Sequence, residues 1–448
     1  MREKGSIRSA EEGKWLHMRK LIIGILLSLC LAGCMGGNGP ETESRYDSMP
    51  GDYNEDTGRL LKTDKGYYYY SYAKKGYCYV DKATGNDMIL CNKPECKHDG
   101  NPFCVATNDK YMILGQHYIY DGRLIVAVVE ETDTNYEFKL LELALDGSEA
   151  SEICTYYKMV KDGFVVTAYG GYKMYVHRDK AFLPMNVNGI HEMEDTERFG
   201  VAIVDLKTGE VSYLDEEPLS TANIPTTNIS AYGDYFYYCR EEGKKTVLHR
   251  YSLTDKTDMT HNLLVGFHGE YAVADDEHII YLKGKARYLC TYHYETGENK
   301  EALHLKRTYN SYEEPGRPPI LTEEEYTALS VAADETYYYV AAENLYIHDK
   351  PPEDGGQLLD KYECVYVYNR DLEKVAEVNM AVLLDEVPRA EEGKLNSNHM
   401  GLQYIGDRVY WNIMGQGWQY WYSCPKSEFV TGNPQFESEY RAKTHQWN

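Results

Sequence analysis

The sequence predicts an all-β protein, a β-propeller of seven four-stranded blades, with six or eight blades as the alternatives. Three observations point there. Tyrosine is abundant, 44 residues against 9 Phe, and it packs like an aromatic, keeps a hydroxyl for a partner and favours strands. A first phrase, an acidic or glycine turn before a Tyr-rich strand, recurs along the chain. A second phrase, a strand that ends in a polar turn of the Asp-x-x-Thr-Gly kind, usually follows it.

The first phrase appears as Asp64-Lys65-Gly66-Tyr67-Tyr68, Asp121-Gly122-Arg123-Leu124-Ile125 and Gly170-Gly171-Tyr172-Lys173-Met174-Tyr175. It returns at Gly233-Asp234-Tyr235, Asp276-Glu277-His278, Asp334-Glu335-Thr336 and Gly406-Asp407-Arg408. The second phrase includes Asp81-Lys82-Ala83-Thr84-Gly85 and Asp205-Leu206-Lys207-Thr208-Gly209, with Tyr366 to Asp371 a worn copy. Glycine there supplies the positive φ that a hairpin turn demands. Each unit therefore reads strand, acidic turn, strand, loop, strand, Thr-Gly turn, strand. A spacing of about 57 residues between units fits propeller blades. The third and last units are ragged, which leaves six or eight blades open. Two β-sandwiches in tandem are the competing architecture, but no Pro/Gly-rich linker divides the body. The Asp-x-x-Thr-Gly hairpin is similar to those of bacterial quinoprotein-like and TolB-like propellers.

Ahead of the body, residues 1–33 read as a secretory signal. Met18-Arg19-Lys20 is a cationic start, Leu21 to Leu31 an apolar core, and Ala32-Gly33 the small residues before cleavage. Residues 1–17 are hydrophilic, so Met18 is the expected initiator. The apolar run is shorter than the roughly 20 residues a membrane span needs. Cys34 after Leu-Ala-Gly resembles the lipobox of bacterial lipoproteins. The resemblance implies that Cys34 carries the lipid and becomes the first mature residue, anchoring the chain at the extracytoplasmic face of the cell membrane. A plain secretory signal is the alternative. Residues 34–60, rich in Gly, Asn, Asp, Glu and Ser, cannot bury a core and read as a disordered tether. The propeller body is expected over 61–448.

Charge narrows the partners. Residues 1–33 hold six of the 47 Lys/Arg and three of the 71 Asp/Glu, so the mature chain carries a net charge of −27. That field opposes phosphate backbones, so nucleic acid is excluded as an expected partner.

One stretch concentrates metal-ligating chemistry. Cys91, Cys96, His98 and Cys104 form C-x4-C-x-H-x5-C, with Pro94 bending the loop over residues 90–104. Three thiolates and an imidazole suit a closed tetrahedral site for structural zinc, or for iron, which would stabilise a loop too small to bury a core. A disulfide within the loop, with Cys78 as a fourth thiol, and free thiols are the alternatives. Cys154, Cys239, Cys290, Cys364 and Cys424 fall one per unit and read as buried small apolar residues. The run Leu90-Cys91-Asn92-Lys93-Pro94-Glu95-Cys96-Lys97-His98 resembles an element shared by a family of uncharacterised propeller-type lipoproteins of gut clostridia. That resemblance implies an anaerobic, single-membrane host and no particular activity.

Three insertions interrupt the rhythm: Phe182 to Arg198, Leu305 to Thr327 and Asp349 to Lys361. Thr322-Glu323-Glu324-Glu325 in the second has a capping-box pattern and predicts one short helix. Trp411, Trp418 and Trp421 crowd together near the C-terminus. They read either as blade core or as an exposed platform for sugars or peptides. No G-x-S-x-G, H-E-x-x-H or Walker A motif is present. No catalytic residue is therefore assigned. The expected function is a surface-anchored lipoprotein whose propeller binds a protein or glycan without catalysis. The alternative is a cell-envelope hydrolase or lyase that acts on glycan with carboxylates near the tryptophans. Solute capture for a transporter is weaker, because the two-lobed α/β pattern is missing.

Overall fold

A computed structural model describes residues 61–443, apart from 72–73, 101–103, 162–163, 167–173, 190–197, 220–224, 243, 312–319, 326–327, 348–358, 381–399 and 416–417. Seven antiparallel sheets follow one another along the chain as blades 1 to 7, over residues 61–89, 111–160, 175–213, 225–261, 267–304, 328–379 and 400–443. Each blade has its four strands paired in chain order; blade 3 adds Phe164–Val166 at one edge. The first strands of blades 3, 4, 5 and 6 touch in succession, which sets them around the axis. Fourth strands such as Ala150–Val160 are largely exposed and form the rim. The architecture is a seven-bladed β-propeller.

The core is a ring of seams. In blade 2 the strand Arg123–Glu131 is apolar on both faces because side chains alternate along it. Leu124, Val126 and Val128 pack with Tyr68, Tyr77 and Leu90 of the blade 1 side. Ile125, Ala127 and Val129 pack with Val176, Leu183 and Val204 of blade 3. The same division repeats around the ring. Closure between blades 7 and 1 rests, among the described residues, on the smallest apolar set, Tyr67, Val80 and Trp421. Polar contacts reinforce it: Glu439 of blade 7 accepts hydrogen bonds from Tyr67 at 2.7 Å and from Ser423, and pairs with Lys62 at 3.0 Å.

Antiparallel order sends every first turn and every third turn of a blade to the same face. The first turns carry Asp64, Asp121, Asp179, Asp234, Asp276, Glu335 and Asp407, at least one acid per blade near the axis. Third turns hold themselves together: Asp205 Oδ1 accepts the backbone N–H of Lys207 and Thr208 at 2.9 and 2.8 Å, while Gly209 takes φ +73°.

Three expectations need correction. Thr322–Glu325 is part of the strand Ile320–Glu325, which pairs with Lys306–Ser311. Glu323, Glu324 and Glu325 stand opposite Thr308, Arg307 and Lys306 in the register, and a strand partner satisfies backbone groups that a lone helical turn leaves unpaired. Lys180–Gly189 is a blade 3 strand, so the insertion at Phe182 is confined to the residues after Gly189. The first turn of blade 3 lies at Arg178-Asp179, one strand beyond the Gly170-Gly171 expected from the sequence.

Candidate metal centre

The Cys/His loop joins the rim strand of blade 1, Asp87–Ile89, to the first strand of blade 2. Local chemistry folds it. Lys93 to Cys96 closes a turn in which the Cys96 N–H donates to the Lys93 carbonyl at 3.0 Å, with Pro94 at the position that its fixed φ suits. His98 and Gly100 take φ 55° and 87° and reverse the chain. The loop then docks on blade 2. The Asn92 N–H donates to the Gly147 carbonyl at 3.1 Å. A Cβ on Gly147 would lie 2.7 Å from the Cys91 nitrogen.

The result gathers the four residues the spacing singled out. The ligand atoms of Cys91, Cys96, His98 and Cys104 all lie within 4.8 Å of one another. Cys104 Sγ sits 3.6 Å from His98 Nδ1, long for an ordinary hydrogen bond. A tetrahedral zinc with bonds of about 2.3 Å to sulfur and about 2.05 Å to nitrogen would set those two atoms about 3.6 Å apart. The donor set and this edge fit such an ion.

The outer shell favours thiolate at Cys104. Its sulfur accepts the Thr107 hydroxyl at 3.0 Å and the Thr107 N–H at 3.3 Å. Burial opposes ionisation, but those bonds and His98 outweigh it and bring the thiol down to about 6. Cys96 moves the other way. The His98 N–H lowers its pKa, yet burial and the sulfurs of Cys104 and Cys91 leave it raised. Three thiols crowded this closely share a site that a cation relieves.

The remaining cysteines behave differently. Cys78, Cys239, Cys290, Cys364 and Cys424 are buried and Cys154 half-buried, all as free thiols. Burial pushes Cys78, Cys154 and Cys290 up to about 11 and Cys424 to about 12, the condition of inert packing residues. Cys78 faces the Gly76 carbonyl inside blade 1 and stands outside the cluster.

The tryptophans are not a platform as a group. Trp411 is wholly buried and Trp421 2% exposed; Trp411 packs on Tyr422 and Phe436 in the seam between blades 6 and 7. Alternation along two central blade strands turns them into opposite seams, away from any ligand. Trp418 lies in the strand Trp418–Pro425, and its side chain is outside the described residues. Cys34 also lies outside them. No helix among the described residues is long and apolar enough to cross a membrane.

No protein-family model matches the chain, and no curated protein matches it. Solved structures similar to it include TolB from Acinetobacter baumannii, at 11% identity and TM-score 0.31 over 86% of this chain and 81% of that one. An uncharacterised protein from Listeria monocytogenes is similar at 7% identity and TM-score 0.40, over 73% and 82%. Oligogalacturonate lyase from Vibrio parahaemolyticus is similar at 9% identity and TM-score 0.36, over 56% of this chain and 66% of that chain. At such identities nothing about activity transfers.

Proposed function

We propose that this protein is a lipid-anchored cell-surface protein whose propeller binds a protein or glycan partner, with Cys34 as the anchor and the Cys/His loop as a structural zinc clip. The observation that carries the binding role is the turn face, where a rigid ring presents an acid from every blade. Such a scaffold holds loops in fixed relation, the usual basis of recognition. The clip's place supports a structural metal: it ties the chain segment that joins blades 1 and 2 to the Asp146-Gly147 turn. A metal bound in the folded state and not in the unfolded chain stabilises that link.

Replacing Cys34 with Ala should move the protein from the membrane to the soluble fraction. The released protein should then be retained on isolated cell envelopes. Continued membrane residence of Cys34→Ala would sink the anchor, and no retention on envelopes would sink the binding role.

A further inference from the structure

Blades 5 and 6 part on the turn face around a cleft of 680 Å³, within the roughly 300–1,000 Å³ of small-molecule sites. Tyr232, half-buried, gives it an aromatic wall from blade 4; Tyr338, buried with Arg370 over its ring, lines it together with Ala274, Ala302 and Leu372. Asp275, His278, Glu335 and Arg370 supply polar groups.

The cations there are committed to the protein. Arg370 donates to the carbonyls of Ala274, Asp334 and Glu335 at 2.6, 2.7 and 3.2 Å, and to the Tyr338 hydroxyl at 3.0 Å. Lys300 pairs with Glu298 at 2.9 Å. Of the acceptors, Asp275 is engaged as well, its Oδ2 3.6 Å from Arg370 Nη1. Asp275 Oδ1 already takes the N–H groups of Glu277 and His278 and lies 3.0 Å from His278 Nδ1. That contact orients the ring and turns Nε2 away from Asp275. Glu335 uses its carbonyl for Arg370, and the residue is exposed. The field is negative: burial first, then Asp276, Glu335 and Asp275, raise the Tyr232 hydroxyl above its usual value.

A metal ion is a poorer occupant. Glu277, His278 and His293 bring ligand atoms within 4.8 Å of one another beside the cleft. His293 Nδ1, however, accepts the N–H of Glu295 at 3.2 Å, the place that Asp205 Oδ1 fills in blade 3. Its proton is on Nε2, toward Glu277 at 3.8 Å. Ligation there would cost the turn its hydrogen bond.

We propose that this cleft binds an amine-bearing glycan. The sugar ring lies against Tyr232, the ammonium meets Glu335, and a hydroxyl hydrogen-bonds His278 Nε2 on the ring that Asp275 orients. The inference rests on the reading that the propeller binds a surface partner, and it names the chemistry of that partner.

Calorimetric titration of the soluble Cys34→Ala protein with a glucosamine tetramer tests it. N-acetylglucosamine tetramer, galacturonate tetramer and trilysine serve as the comparison probes. The glucosamine tetramer should bind, its acetylated counterpart about tenfold more weakly for want of a charge-assisted bond, and the galacturonate not at all. Glu335→Gln and His278→Gln should each weaken binding about tenfold with the melting temperature unchanged. No binding of the glucosamine tetramer, or equal binding of trilysine, overturns the proposal. Unaltered affinity in both variants also overturns it, and retention on envelopes then shows separately whether the partner-binding reading survives.

Discussion

Gly147 shows how one residue can hold a site it does not belong to. Its φ of +71° suits the turn, and its bare Cα lets the Cys91 backbone approach. A side chain would meet the Cys91 nitrogen and the Leu90 carbonyl carbon, both at 2.7 Å. Gly147→Ala should therefore cost about 2 kcal/mol or more in denaturant unfolding. A loss within about 0.5 kcal/mol, the ordinary surface range, would mean that the loop does not seat there. The four ligands were legible in the sequence because fourteen residues span them. Their seat was not, since Gly147 lies more than forty residues on and looks like any hairpin glycine. The tryptophans were ambiguous for a related reason: an alternating aromatic strand is apolar on both faces, and only the neighbouring blades show both faces covered.

Within the blade, the turn chemistry carries the repeat. Asp81, Asp205 and Asn369 each accept backbone N–H groups two to four residues on, which is why short polar phrases mark the third turns so regularly. His293 does the same with its ring nitrogen, a substitution that residue identity alone does not reveal. Local signals misled where a distant strand decided the outcome. Thr322–Glu325 has helix-start chemistry, yet residues 306–311 pair with it as a strand. Among the described residues the seam between blades 7 and 1 has the fewest buried apolar residues. Trp421→Ala should lower stability by about 3 kcal/mol and speed amide hydrogen exchange in blades 1 and 7 before the others. Uniform acceleration around the ring would contradict a weak closing seam.

At the scale of the whole molecule, closure of the ring is also an electrostatic matter. Burial raises the pKa of Glu439, but Ser423, Tyr67 and Lys62 overcome that and hold the carboxyl down to about 2. A depressed carboxyl contributes stability above its unfolded-state value, ordinarily about 4.3, and loses it as pH falls toward 2. Stability should decline from about pH 5 to pH 2. Glu439→Gln should be less stable at neutral pH and should flatten that decline; an unchanged slope would remove Glu439 from the account. Seven copies of one phrase point to seven blades, while the ragged third and last units leave six or eight open, and only the sheets themselves decide the number. Closure was not legible, because the pairing of Lys62 with Glu439 joins residues 377 positions apart and no local pattern marks it.

The measurement that bears most directly on the central claim is the intact mass of the mature protein, purified anaerobically and compared between native and denaturing conditions. One zinc ion per chain, lost on unfolding and absent from Cys96→Ser, is the predicted result. A native mass with no metal and a deficit of two protons would contradict it, making the loop a disulfide-bonded one and removing the metal from the first seam.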